Sequence, residues 1–178
     1  MQNLWQQDDA EVKQGDWVSE MDRCNSTWGG FGKLREVHLK QILQIENLSY
    51  SSPWSAAELG YVLQDKRALC LGLWSLGELI GYAIGYVEDT DFHLASLAVE
   101  PTRRRCGWGG SLLRRALENS RKKGCHWCTL EVRASNRAAT QLYQRHGFQP
   151  VGVRHCYYTK PVEHALMMRK DLKPSESD

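Results

Sequence analysis

Three consecutive arginines run into a glycine cluster and then into a helix-forming segment in the stretch RRRCGWGGSLLRRAL, Arg103 to Leu117. A β-rich run ends just before it at Val99, and Leu112, Leu113, Ala116 and Leu117 follow at helical spacing. The chain must therefore pass from a strand, through a glycine turn, into a helix opening at about Gly107. Such a turn gathers unpaired backbone N–H groups and the positive end of a helix dipole at one spot, with no Cβ atoms blocking approach. That spot suits phosphate, and guanidinium forks at its rim can chelate phosphate oxygens. A pyrophosphate is the natural ligand. A triphosphate-binding loop would need Gly-Lys-Ser/Thr at the helix start, where this chain has Gly109-Gly110-Ser111, and a dinucleotide fingerprint would need a βαβ unit with its acid. Neither is present. An Arg/Gly turn alone is more often a solvated loop, so its neighbours have to decide.

The 178 residues suffice for one globular domain with a short extension. No run of about eighteen apolar residues occurs, and MQNLWQQDDAEVKQGDW lacks the basic start and apolar stretch of an export signal. The expectation is a soluble, cytoplasmic protein whose six cysteines (24, 70, 106, 125, 128, 156) are free thiols without disulfides. A net charge of +2 does not mark a nucleic-acid binder, but the charge is uneven. Residues 1–30 carry six acids against Lys13 and Arg23, whereas residues 101–125 carry eight Arg or Lys against Glu118 alone.

Residues 1–30 read as an extension, either a disordered tail or one whose tryptophans dock on the domain or on a partner, with Trp28 to Gly32 as loop; residues 31–172 read as the domain and 173–178 as a polar tail. The pattern predicts a strand over 31–37, then a helix with apolar Leu39, Ile42, Leu43 and Ile45. Ser55 and Glu58, at capping-box spacing, open a second helix over 56–63. Strands over 68–76 and 79–87 form a hairpin about Gly77-Glu78, and another strand spans 92–99. A helix over 107–123, a strand over 125–132, a helix over 136–145 and strands over 149–156 and 164–169 complete the order. There is no internal repeat.

Arg104 to Gly109 fit the Q/R-x-x-G-x-G/A signature of the GNAT acyltransferase superfamily. With LASLAVEP (94–101) before it and LEVRASNRAATQLYQRHGF (130–148) after it, residues 31–170 resemble that family's core. LEVRASN…LY…GF, then Tyr157-Tyr158, then HALMM are most similar to the RimI family, bacterial N-acetyltransferases of the N-terminal alanine of a small-subunit ribosomal protein. The resemblance implies an α+β, three-layer fold: a mixed, mostly antiparallel sheet of about six or seven strands flanked by about four helices. It implies acetyl-CoA as co-substrate and no metal. The pantetheine arm would lie along Leu97, Ala98 and Val99, with the pyrophosphate held by Arg104, Arg105, Cys106, Gly107, Trp108, Gly109 and Gly110. Glu131 would be the general base, acting through water, and Tyr143 the acid that protonates the departing sulfur. Glu46, Trp54, Tyr157 and Tyr158, the two tyrosines in a loop between the last strands, would line the peptide groove. The implied partner is a protein N-terminus, with no nucleic acid, no membrane, and a monomer or weak dimer.

The residues leave plainer alternatives open. Glu131 alternates with Leu130 and Val132, so it lines a cleft or pairs with Arg133 on the same strand face. Tyr143 is an acid or a core tyrosine with a satisfied hydroxyl, and Asn136 caps its helix or hydrogen-bonds the cofactor. Cys106 and Trp108 depart from the residues usual in the family's loop. A zinc site at Cys125, Cys128 and His155-Cys156 is disfavoured because residues three apart on a strand face opposite sides. Deprotonating a lysine at pH 7 costs roughly 4.6 kcal/mol, against about 1 to 1.4 kcal/mol for an α-amine, which favours the α-amine. The rivals are an acetyltransferase of small amines or lysine and a non-catalytic acetyl-CoA-binding module.

Overall fold

The computed structural model describes residues 19–21 and 28–173. Its strands are β1 (Ser19–Met21), β2 (Trp28–Lys33), β3 (Ala68–Ser75), β4 (Glu78–Glu88), β5 (Asp91–Val99), β6 (Trp127–Arg133), β7 (Gln149–Thr159) and β8 (Val162–Asp171). The helices are α1 (Leu39–Ser49), α2 (Ala56–Gln64), α3 (Trp108–Lys122) and α4 (Arg137–Arg145). The strands form one sheet in the order β1-β2-β3-β4-β5-β6-β8-β7. Every pairing is antiparallel except β5 with β6. Among the described residues no helix is long and apolar enough to cross a membrane.

Alternation along β3 explains the three layers. Leu69, Leu71 and Leu73 join a core with Trp108, Leu112, Leu113, Ala116 and Leu117 of α3 and Tyr143 of α4. Cys70 turns to the other face, where Ile42 and Ile45 of α1 and Leu59 and Val62 of α2 form a second core. A strand buried on both faces reads as a continuous apolar run. Each fully buried Leu here contributes about 1.5–3 kcal/mol over its exposed state. The Ser55 box is formed: its side chain accepts from the Glu58 amide, and Glu58 reaches back to the Ser55 amide at 2.7 Å.

Two boundaries differ from the sequence expectation. The first strand is Trp28–Lys33 rather than 31–37, and its glycines, which read as loop, are paired with β3. The cause is tertiary: a Cβ on Gly29 would stand 2.8 Å from Cη2 of Trp108, whose indole fills that space. Ser19–Met21 adds an eighth strand against Trp28–Gly30, and the pairs Gly29 with Ser75 and Gly30 with Trp74 carry the sheet across the boundary expected at residue 30. The remaining tryptophans of the extension, Trp5 and Trp17, lie outside the described residues.

Gly29→Val forces the Trp108 ring to move and is expected to cost about 1–3 kcal/mol, measured as a lowered urea midpoint. Gly60→Ala, at a mid-helix site with nothing within 4 Å of the new methyl, is expected to gain about 0.5–1 kcal/mol in the same experiment.

Candidate active site

The sheet opens between β5 and β6. They pair only through Asp91–His93 with Trp127–Thr129, after which each strand continues with its other neighbour alone. The opening starts where β5 carries an extra residue: Ile84 faces Ser96 and Gly85 faces Leu94, so Ala95 is a bulge. Bulges bend the strand that carries them. The Glu100 amide donates to the Ile80 carbonyl at 2.9 Å, which fixes the phase of the ladder. Ala98 therefore turns its main-chain groups to β4, while Leu97 and Val99 turn theirs into the opening. Two of those groups are engaged: the Tyr50 hydroxyl donates to the Leu97 carbonyl at 2.9 Å and Arg104 Nε to the Val99 carbonyl at 2.8 Å. The N–H groups of Leu97 and Val99 remain as donors facing the opening.

At the far end of β5 the chain turns into α3. Arg105 and Gly107 have φ of +66° and +96°, and Gly107 is the N-cap. A left-handed N-cap followed by Gly109 and Gly110 leaves the first-turn amides of α3 exposed at the positive end of its dipole. Nothing lies within 4 Å of where a Gly107 side chain would start. The arginines are used unequally. Arg104 is committed to Val99 and, through a second nitrogen, to Ser49 Oγ at 2.8 Å, so it ties β5 to α1 rather than reaching outward. Trp108 is buried in the core, and the Cys106 thiol donates to the Arg104 carbonyl at 3.4 Å. Of the residues expected to hold pyrophosphate, Arg105 and the amides of residues 107–110 are those the fold presents.

Beyond the bulge, β6 carries Glu131 on the face opposite the buried Leu130 and Val132. Its carboxylate is held between Arg154 (3.2 Å to Oε1) and His93 (3.3 Å to Oε2), and its side chain is only 10% exposed. The alternative pairing with Arg133 is not formed; Arg133 bonds Glu163 at 3.2 Å. One partner on each oxygen fixes the Glu131 carboxylate and leaves it lone pairs to accept a proton. Tyr143 is buried on α4 against Phe148. Burial pushes its phenol well above the ordinary tyrosine value, with the nearby oxygens of Tyr50 and Tyr158 adding to the effect. The core-tyrosine alternative needs a satisfied hydroxyl, and no hydrogen bond to this one occurs among the described residues. Asn136 is the α4 N-cap, its side chain accepting from the Ala139 amide at 3.1 Å.

The α1–α2 connection and the β7–β8 hairpin are joined by Arg133. Its guanidinium donates to Ser51 Oγ at 3.0 Å and to the Lys160 carbonyl at 2.9 Å, and stacks 4.1 Å over the Tyr158 ring. Tyr157 and Tyr158 lie within β7 rather than in a loop, because β7 runs on to Thr159 past an irregularity that includes Cys156 at φ +51°. The two rings meet edge to face at 5.1 Å. Tyr157 is exposed, while Tyr158 is partly buried, with its phenol pushed up to about 12 chiefly by burial. Glu46 is placed differently from the expectation: it is 2% exposed, with one oxygen accepting the Trp54 amide at 2.9 Å and the other hydrogen-bonded with the Tyr82 hydroxyl. Trp54 is half-buried and packs on the second core.

Sequence reasoning missed Tyr50, Ser96, His93 and Arg154. Tyr50 is the C-cap of α1, in extended backbone four residues after Glu46; the others are joined by pairing across strands. Cys125 and Cys128 are both buried in one core, since Cys125 precedes the strand and alternation does not reach it. Among the described residues no group of three potential metal ligands occurs, and the five described cysteines are free.

Residues 39–148 match the acetyltransferase (GNAT) family. A ribosomal protein bS18-alanine N-acetyltransferase of Haemophilus influenzae is 35% identical over 139 residues, covering 76% of this chain and 94% of the relative. The crystal structure of the ribosomal-protein-S18-alanine N-acetyltransferase from Escherichia coli superposes with a TM-score of 0.78 at 30% identity, covering 84% of this chain and 97% of that one. An N-acetyltransferase from Thermoplasma acidophilum in complex with coenzyme A shares the fold, with a TM-score of 0.69 at 20% identity over 80% of this chain and 98% of that one.

Burial makes the Tyr143 and Tyr50 phenols hold their protons, Tyr50 up to about 12. A tyrosinate absorbance titration is expected to show the amplitude near the ordinary value of about 10 unchanged in Tyr143→Phe and Tyr50→Phe. Each variant should lose amplitude only at higher pH.

Proposed function

The chain belongs to the GNAT acetyltransferase family, and on that premise we propose that it moves the acetyl group of acetyl-CoA onto the N-terminal α-amine of a protein, an alanine of a small-subunit ribosomal protein being the acceptor class. The observation that carries the reading is the opening beside β5. It exposes the Leu97 and Val99 N–H groups in a line that ends at the amide cluster of α3. An amide-containing pantetheine arm can add there as a strand would, with its diphosphate at the helix N-terminus.

Glu131 accepts a proton from the attacking amine, directly or through one water. The amine nitrogen bonds to the thioester carbonyl carbon, the carbon–sulfur bond breaks, and Tyr143 gives its proton to the sulfur. The products are the N-acetylated chain and coenzyme A. A phenol held neutral by burial is a donor in place at every working pH, and the unbonded hydroxyl of Tyr143 leaves that proton available. The tie between Ser51 and the β7–β8 hairpin favours a narrow acceptor such as a chain end over a mid-chain lysine. The named function of the Haemophilus and Escherichia relatives supports the same substrate class.

Mass spectrometry of peptides beginning with alanine, of lysine peptides with blocked N-termini and of small amines, each incubated with acetyl-CoA, tests the acceptor. A +acetyl product confined to the α-amine is expected; preferential modification of the free small amines overturns the reading. Glu131→Gln and Tyr143→Phe are each expected to lower kcat by about 10²–10⁴ with the KM for acetyl-CoA little changed. Unchanged turnover in the double variant would remove both side chains from the mechanism, and acetyl-CoA binding without any acetylated product would leave only a binding module.

A further inference from the structure

Four polar side chains run through the second core from α1 to the edge of the opening. Tyr82 Oη bonds Glu46 Oε2 and lies 3.2 Å from Ser96 Oγ; Ser96 Oγ donates to the Tyr50 hydroxyl at 3.1 Å, and Tyr50 donates to the Leu97 carbonyl at 2.9 Å. Tyr82 is 0%, Glu46 2% and Ser96 7% exposed, so these bonds lie inside the core. The chain has four links, from Glu46 to Tyr82, Ser96, Tyr50 and Leu97. The three hydroxyls carry one hydrogen each. With Glu46 ionised, one link is left as two acceptors facing one another inside the core. With a proton on Glu46 every link has a donor, and all point toward Leu97.

We propose that Glu46 is a positioning residue which, carrying its proton, closes this donor chain and so holds the Tyr50 hydroxyl on the Leu97 carbonyl, fixing the wall where acceptor and acetyl group meet. The assignment rests on the acetyl-transfer reading only for the choice of kinetic constant that reports it. The surroundings agree with a neutral carboxyl. Burial raises Glu46 above the ordinary carboxylate value, the Trp54 amide opposes this, and the charge of Glu58 on α2 adds to it. From β4 and β5 it meets only the Tyr82 and Ser96 hydroxyls along this chain, and among the described residues no cationic side chain forms an ion pair with it. Because the folded value is raised, the stabilisation is full below the ordinary value of 4.5 and is lost as pH rises through the folded one.

Glu46→Gln tests this directly, since its amide nitrogen can donate to Tyr82 while its oxygen accepts from Trp54. With the full-length protein, a peptide acceptor and acetyl-CoA, the Gln variant is expected to keep the wild-type acceptor KM at low pH. The ratio of wild-type to variant acceptor KM then rises as pH increases. Tyr82→Phe, or Ser96→Ala should that variant fold poorly, is expected to raise the acceptor KM roughly fivefold, the worth of one net hydrogen bond, with the KM for acetyl-CoA unchanged. Independently of activity, the infrared spectrum is expected to hold a protonated-carboxyl stretch that disappears in Glu46→Gln. A spectrum without that band, or a KM ratio flat with pH, overturns the proposal. If no peptide is acetylated but the band is present and lost on substitution, the acceptor reading fails and the assignment of Glu46 stands.

Discussion

A β-sheet opened in its middle leaves backbone donors and acceptors that must find partners, and the whole arrangement around the β5–β6 opening follows from that requirement. Buried amides without partners cost about 1–3 kcal/mol each. The fold answers on the acceptor side itself, by aiming Tyr50 and Arg104 at the Leu97 and Val99 carbonyls. It leaves the two N–H groups, and so presents a row of donors alone. A ligand rich in carbonyl oxygens and ending in phosphates is complementary to that row and to the α3 amides that continue it. The opening is thus selective for polarity before any side chain contacts a ligand.

Placement of the catalytic candidates is a consequence of the same bulge. The extra residue Ala95 carries the far part of β5 away from β6, yet His93, two residues earlier, is still on the paired section. It can therefore reach across to Glu131, on the first unpaired stretch of β6. Arg154 reaches the same carboxylate from β7. The carboxylate on β6 is consequently oriented by groups from two other strands, and none of the three positions is close to another in the chain.

Features fixed by neighbouring residues were readable: the Ser55–Glu58 box, the apolar stripe of α3, the glycine turn at Gly107 and the Asn136 cap all lie within one or two turns of the groups they serve. The resemblance also carried the fold and pointed to Glu131 and Tyr143. Features fixed by distant chain were not readable. Gly29 and Gly30 form a strand because an indole from residue 108 occupies the space above Gly29, a fact with no local signature. Glu46 looked like a groove residue because its neighbours in sequence line the groove, whereas its carboxylate points inward to Tyr82. The side of an element that a polar residue takes depends on which buried partner can satisfy it, and that partner is 36 residues away.

The basic block of residues 101–125 shows why a charge count overstates ligand binding. Arg104 satisfies a strand carbonyl, Arg121 donates to the Leu172 carbonyl at 3.0 Å, Arg115 pairs with Glu118, and Arg114 donates to Ser111. Each of these neutralises or satisfies a group of the protein itself. What remains at the mouth of the α3 amides is the backbone dipole with Arg103 and Arg105 beside it. The same economy holds for Trp108: the groups that the start of α3 presents are main-chain amides, so this side chain turns inward and braces the glycine strand.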